Sequence, residues 1–128
     1  MIYSKRKFLF WQRSDMMYCT RKVAEDIYWI GGSDRRLALF ENLFPIPRGG
    51  AGKSYLIMDE KTVVMDTADS SITRQFIENI AHVLNGRPLD YLVVNHMEPD
   101  HCANIEELLV RYPEMKIVGN VKTHNMIR

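Results

Sequence analysis

Four side chains that bind metals stand within six residues in the run His96-Met97-Glu98-Pro99-Asp100-His101. Two imidazoles and two carboxylates form a donor set suited to iron, zinc or manganese. Pro99 disfavours helical backbone at Glu98. In an extended segment the side chains of His96, Glu98 and Asp100 would then share one side, because direction alternates along a strand. His101 could reach the other side of a small cluster. Consecutive donors of this kind suit two ions better than one crowded ion. A plainer reading stands beside it: the run is a polar loop whose acids favour the N-terminus of the next helix.

The elements around the run decide whether it can be a site. It follows the apolar stretch Tyr91-Leu92-Val93-Val94, with Asn95 as spacer. That places it past the carboxyl end of a strand, where α/β folds carry their chemistry. Upstream, Ile27-Tyr28-Trp29-Ile30 is a short β-type run closed by Gly31-Gly32. Residues 37–44 are apolar and ambiguous between helix and strand, and the prolines and glycines of 45–52 mark a loop. Residues 54–58 and 62–65 read as strands, joined as a hairpin by Asp59-Glu60-Lys61. Residues 70–84 are the best helix: Ile72, Phe76, Ile80, Val83 and Leu84 share a face, and Asn85-Gly86 stops it. Asn104 with Glu107 resembles a capping box for a helix to about Tyr112, ended by Pro113. Residues 116–118 form a last short strand, and 123–128 open another helix. The order predicts an α/β (α+β) fold with a parallel or mixed sheet covered by helices.

Composition excludes several classes. With 128 residues, 46% hydrophobic and 26% charged, the chain has room for one domain with a core. A net charge of +1 makes no global case for nucleic acid. The charge is uneven: Lys5, Arg6, Lys7, Arg13, Arg21 and Lys22 face Asp15 in the first segment, so the remainder is acidic. Residues 1–17 lack periodicity and read as an extension without regular structure, with Met1, Met16 or Met17 as the start. Phe8-Leu9-Phe10-Trp11 is too short for a signal sequence. Cys19 and Cys102 form no CxxC pair or disulfide framework, which favours a reducing cytoplasm.

The motifs occur in a telling order: Asp26-Ile27-Tyr28-Trp29-Ile30-Gly31, Ser54-Tyr55-Leu56-Ile57, Met65-Asp66-Thr67, His96-x-Glu98-x-Asp100-His101, then Arg111-Tyr112-Pro113 ahead of Ile117-Val118. Together they resemble the N-terminal part of a flavodiiron protein, or A-type flavoprotein, over residues 18–128. The resemblance implies the first half of a metallo-β-lactamase-like αββα sandwich, with the second half and a flavodoxin-like FMN domain beyond the matched region. It implies reduction of dioxygen to water or nitric oxide to nitrous oxide at a non-haem di-iron centre. Electrons would arrive through FMN from a rubredoxin-like or flavoprotein donor, in a homodimer or homotetramer. By position, His96 and Glu98 would bind one iron and Asp100 and His101 the other. Zinc hydrolases of this fold carry His where this chain has Glu98, and the harder carboxylate favours iron. Asp66 has two readings: a residue orienting the ligand loop, or a simple turn residue.

The family completes its centre with a further His, a bridging carboxylate and another His downstream. His82, in the predicted helix, and His124, near the C-terminus without carboxylate neighbours, do not replace them. The chain alone is therefore expected to be an inactive N-terminal portion of an oxidoreductase. Two alternatives stay open: a non-catalytic fragment with weak metal binding, and a zinc hydrolase of the same fold. Gly49-Gly50-Ala51-Gly52-Lys53-Ser54 resembles a phosphate loop, but Pro47 takes the place of its first glycine and a strand follows it. Cys102 reads as an inert, buried thiol and the eight methionines as core filling.

Overall fold

The computed structural model describes residues 20–34, 39–40, 44–45, 50–51 and 53–127. The expected N-terminal extension and Cys19 lie outside the described residues, as does most of the ambiguous stretch 37–44.

The central element is a six-stranded mixed sheet. Its members are β1 (Arg21–Ala24), β2 (Ile27–Trp29), β7 (Tyr55–Met58), β8 (Thr62–Met65), β9 (Tyr91–Val93) and β10 (Lys116–Val118), in the order β1-β2-β7-β8-β9-β10. The first four are antiparallel neighbours, whereas β9 lies parallel to both β8 and β10. Two small antiparallel pairs fill the gap in numbering: β3 (Ser33–Asp34) with β6 (Gly50–Ala51), and β4 (Leu39–Phe40) with β5 (Phe44–Pro45). Part of the expected glycine-rich loop is thus paired backbone. β1 escapes sequence reading because Arg-Lys-Val-Ala carries one branched apolar residue and all four are exposed. Such a charged strand suits a sheet edge.

Strand pairing sets two faces. Tyr28, Leu56, Val64, Leu92 and Ile117 follow one another across the register. Leu56, Val64 and Leu92 are fully buried in a core with Phe76, Ile80, Leu84 and Leu108. The alternate positions Trp29, Tyr55, Met65 and Val93 form the opposite row. They are half-buried or exposed, and none belongs to the core cluster.

The expected helix over 70–84 forms as a short 3-10 turn, Ser70–Ile72, leading into α1 (Thr73–Leu84). Ile72, Phe76, Ile80 and Leu84 are buried as their spacing requires, and Asn85 ends the helix in a left-handed conformation at φ 48°. The stripe also includes a polar member. Buried Asn79 donates its Nδ2 to Ile30 O at 3.0 Å and to Gly31 O at 3.4 Å, tying α1 to the end of β2.

After β9 the chain forms α2 (Pro99–Cys102), α3 (Ile105–Arg111), β10 and α4 (Val121–Ile127). Two expectations need correction here. Side-chain alternation through Asp100 does not hold. Glu98 is extended at ψ 149°, as Pro99 requires, but Pro99 then starts a helical turn that contains Asp100 and His101. Proline's fixed φ suits the first helical position. Nor does the capping box form. Asn104 makes no side-chain cap bond to α3. Its amide Nδ2 donates instead to Ala68 O at 2.7 Å, while its Oδ1 accepts the Thr73 hydroxyl. Glu107 lies 4.0 Å from Arg111 on the same helix.

Candidate metal centre

Parallel pairing of β8 with β9 is the step that builds the site. Met65 pairs with Val93 in register, so the carboxyl ends of both strands finish side by side. Asp66 leaves β8 where Val94, Asn95 and His96 leave β9.

Asp66 is held on every side. Its N–H donates to Val93 O at 2.8 Å, and its carbonyl accepts the buried Ser54 hydroxyl at 2.7 Å. Its Oδ1 accepts the Asn95 N–H at 2.8 Å and its Oδ2 the Asn95 Nδ2 at 2.8 Å. These bonds hold the residue at φ 59°, a left-handed conformation in which Asp and Asn are over-represented. Of the two sequence readings, both are true in part: Asp66 is a turn residue, and its carboxylate faces the ligand loop. Ser54, the last residue of the apparent phosphate loop, is thereby assigned a structural task.

His101 completes the contact. Its Nδ1 lies 3.2 Å from Asp66 Oδ2, with side chains 19% and 8% exposed. This pair is shielded from water. Its backbone carbonyl accepts both the N–H and the hydroxyl of Thr67, each at 2.8 Å. With Nδ1 turned to a carboxylate, Nε2 is the nitrogen left on the other side of the ring. Metal-binding histidines are commonly arranged this way, with one nitrogen toward the ion and the other toward a carboxylate or carbonyl.

His96 and Glu98 present a more open pair. His96 Nδ1 lies 3.8 Å from Glu98 Oε2, and their side chains are 48% and 59% exposed. The ring centroids of His96 and His101 are 3.8 Å apart, with planes tilted by 46°. The turn of α2 folds the loop back, so its first and last histidines meet. Asp100 sits in that turn, and its side chain lies outside the described atoms. Among the described residues no group of three or more His, Cys, Asp or Glu is assembled tightly enough to hold a metal ion. Beside the loop lies a cleft of about 410 Å³ lined by Asn95, His96, Met97, Glu98, Asn120, Lys122, Thr123 and Met126.

The remaining candidates fall elsewhere. His82 is half-buried in the last turn of α1, and His124 is exposed on α4. Cys102 is half-buried, its thiol 3.2 Å from Met97 O. Thr67 and Asn104, both bonded around His101, were not read as site residues from the sequence: Thr67 entered only through the Met65-Asp66-Thr67 motif and Asn104 only as a helix cap.

The donor set fits part of a metal centre in residue type: His96 neighbours Glu98 and, separately, His101, and the His101 ring lies against the buried Asp66 carboxylate.

Comparisons with known proteins bear on the family and the fold. The model of the ODP family beta lactamase matches residues 51–128. An anaerobic nitric oxide reductase flavorubredoxin of Pectobacterium carotovorum is 36% identical over 106 residues, covering 82% of this chain and 20% of that protein. Rubredoxin oxygen:oxidoreductase of Desulfovibrio gigas superposes with a TM-score of 0.77 at 26% identity, over 84% of this chain and 27% of its own. A flavoprotein of Thermotoga maritima gives 0.78 at 22% identity, over 84% and 28%. The chain spans about a fifth of the length of the flavorubredoxins it matches. The expected resemblance and fold class are borne out. This chain belongs to the ODP family of β-lactamase-like domains and corresponds to the N-terminal part of the metallo-β-lactamase-like domain of flavodiiron proteins.

Proposed function

We propose that this chain carries the first part of a non-haem di-iron site in an oxidoreductase that reduces nitric oxide to nitrous oxide or dioxygen to water. His96 and Glu98 would hold one iron, and Asp100 and His101 the other. The observation that carries this reading is the shielded contact of His101 Nδ1 with Asp66, on a ring that stands beside that of His96. When bound, iron supplies electrons and an open coordination position to the substrate. The residues of this chain bind and orient. Glu98 adds negative charge that favours a hard, redox-active cation, and Asp66 fixes the His101 ring. Nitric oxide and oxygen enter the proposal through the relatives named as a nitric oxide reductase flavorubredoxin and a rubredoxin oxygen:oxidoreductase.

The further parts of the reading are FMN in a following flavodoxin-like domain, a rubredoxin-like or flavoprotein electron donor, a homodimer or homotetramer, and a cytoplasmic location. Among the described residues no helix is long and apolar enough to cross a membrane. The row Trp29, Tyr55, Met65 and Val93, half-buried except for exposed Tyr55, suits a covering sheet supplied by the second half of the sandwich. In this reading the chain turns over substrate only when that half is present.

The test is anaerobic titration with Fe(II), Mn(II) and Zn(II). It is run on the chain alone and on the chain mixed with the remaining β-lactamase-like region of a flavorubredoxin. The expected result is iron retained by the mixture and lost in His96→Ala and Glu98→Gln. Zinc bound alone, with binding untouched by Glu98→Gln, refutes the redox reading in favour of a hydrolase.

A further inference from the structure

His101 lies in α2, a single helical turn, too short to be stable by itself. Bonds from outside the turn add to those within it. The Thr67 N–H and hydroxyl both donate to the His101 carbonyl at 2.8 Å. The same hydroxyl oxygen accepts the Asn104 N–H at 3.3 Å. Asn104 is 1% exposed and tied in turn to Ala68 O and the Thr73 hydroxyl. The segment after β8 is thus bonded to α2 through backbone and side chain together. Asp66 and Thr67 are consecutive: one meets the His101 ring, and the other holds the His101 backbone.

We propose that Thr67 and Asn104 are positioning residues for the metal centre. They set where the His101 imidazole stands against Asp66, without being ligands themselves. The Thr67 hydroxyl is the central group, since it is donor to one side of the junction and acceptor from the other. A methyl in its place keeps the volume and loses both bonds. The inference rests on the metal reading above for its consequence, and on the bonding pattern for its cause.

The experiment compares wild type, Thr67→Val and Thr67→Ser in the full chain with two readouts. One is the ¹⁵N resonances of the His101 ring in metal-free protein. The other is Co(II) affinity and absorption spectrum in the presence of the complementing flavorubredoxin region. Thr67→Val is expected to move the His101 resonances, weaken cobalt binding about 10–100-fold and alter the cobalt spectrum. Thr67→Ser is expected to restore all three. Unchanged resonances and affinity in folded Thr67→Val, or failure of Thr67→Ser to restore them, overturns the proposal. If Thr67→Val does not fold, Thr73→Val, at a half-buried site, removes the hydroxyl that meets Asn104 Oδ1 and Ser70 O and must shift the same resonances; no shift overturns it. If wild type binds no cobalt, the metal reading fails, and the His101 resonances alone decide the positioning claim.

Discussion

Asp66 and His101, 35 positions apart in the chain, meet with Oδ2 and Nδ1 at 3.2 Å. The contact exists because β8 and β9 are parallel neighbours and Asp66 is locked at the end of β8. Replacing Asp66 separates its tasks. Asp66→Ala loses the charge-assisted bonds to Asn95, about 1.5–3 kcal/mol, and like wild type keeps a Cβ residue in the left-handed region. Asp66→Gly loses the same bonds but is relieved of that strain, about 1–2 kcal/mol. Urea denaturation should rank wild type above Asp66→Gly above Asp66→Ala. Equal stability of the two variants would refute strain at φ 59°.

The Glu98 side chain is exposed, and its ionic neighbour among the described residues is His96 at 3.8 Å, whereas the bonds that hold α2 use the Glu98 backbone carbonyl. Glu98→Gln should therefore leave the unfolding free energy of the metal-free chain within about 0.5 kcal/mol of wild type. Its effect should appear in iron retention measured with the complementing region. A large loss of stability without metal would show that Glu98 serves the fold.

Gly86 follows the α1 cap at φ 89°, and a Cβ built there meets nothing within 4 Å. The cost of Gly86→Ala is then purely one of backbone conformation, about 1 kcal/mol. Thermal or urea unfolding would measure it. A neutral result would mean that the turn relaxes to negative φ.

Asp90 closes the entry to β9. Its Oδ2 accepts the Thr62 N–H at 2.9 Å, and this backbone bond is the main reason its carboxyl titrates below the usual 3.8. Partial burial opposes the shift, and the Thr62 hydroxyl, Lys61 and Arg87 reinforce it. The folded pKa is depressed, so the unfolded chain binds the proton first on acidification. The stabilisation is present above the usual 3.8 and is lost as pH falls through that value and the lower folded one. Asp90→Asn should be less stable than wild type near neutral pH and should flatten the acid limb of stability against pH. An unchanged acid limb would remove Asp90 from that account.

Much of the fold can be read locally. Ile72, Phe76, Ile80 and Leu84 recur at helical spacing and are buried together, because one face of a helix is a property of neighbouring residues. Asn85-Gly86 stops α1 because left-handed backbone suits those residue types. Pro99 keeps Glu98 extended for the same local reason. Asn104 shows where local reading fails. Its spacing to Glu107 fits a capping box, yet the Ala68 carbonyl and Thr73 hydroxyl, 36 and 31 positions away, compete for the amide and win it.

The sequence by itself determined which donor atoms are available and that they follow a strand, since residue type and short-range periodicity are local properties. Only the tertiary structure decided that α2 curls His101 onto His96. It alone decided that Ser54 holds Asp66, and that Asp66 and Thr67 hold the ring and backbone of one histidine. Those relations depend on parallel strand pairing across an intervening helix. Pairing of that kind is set by burial of the whole sheet face, and no window of neighbouring residues contains it.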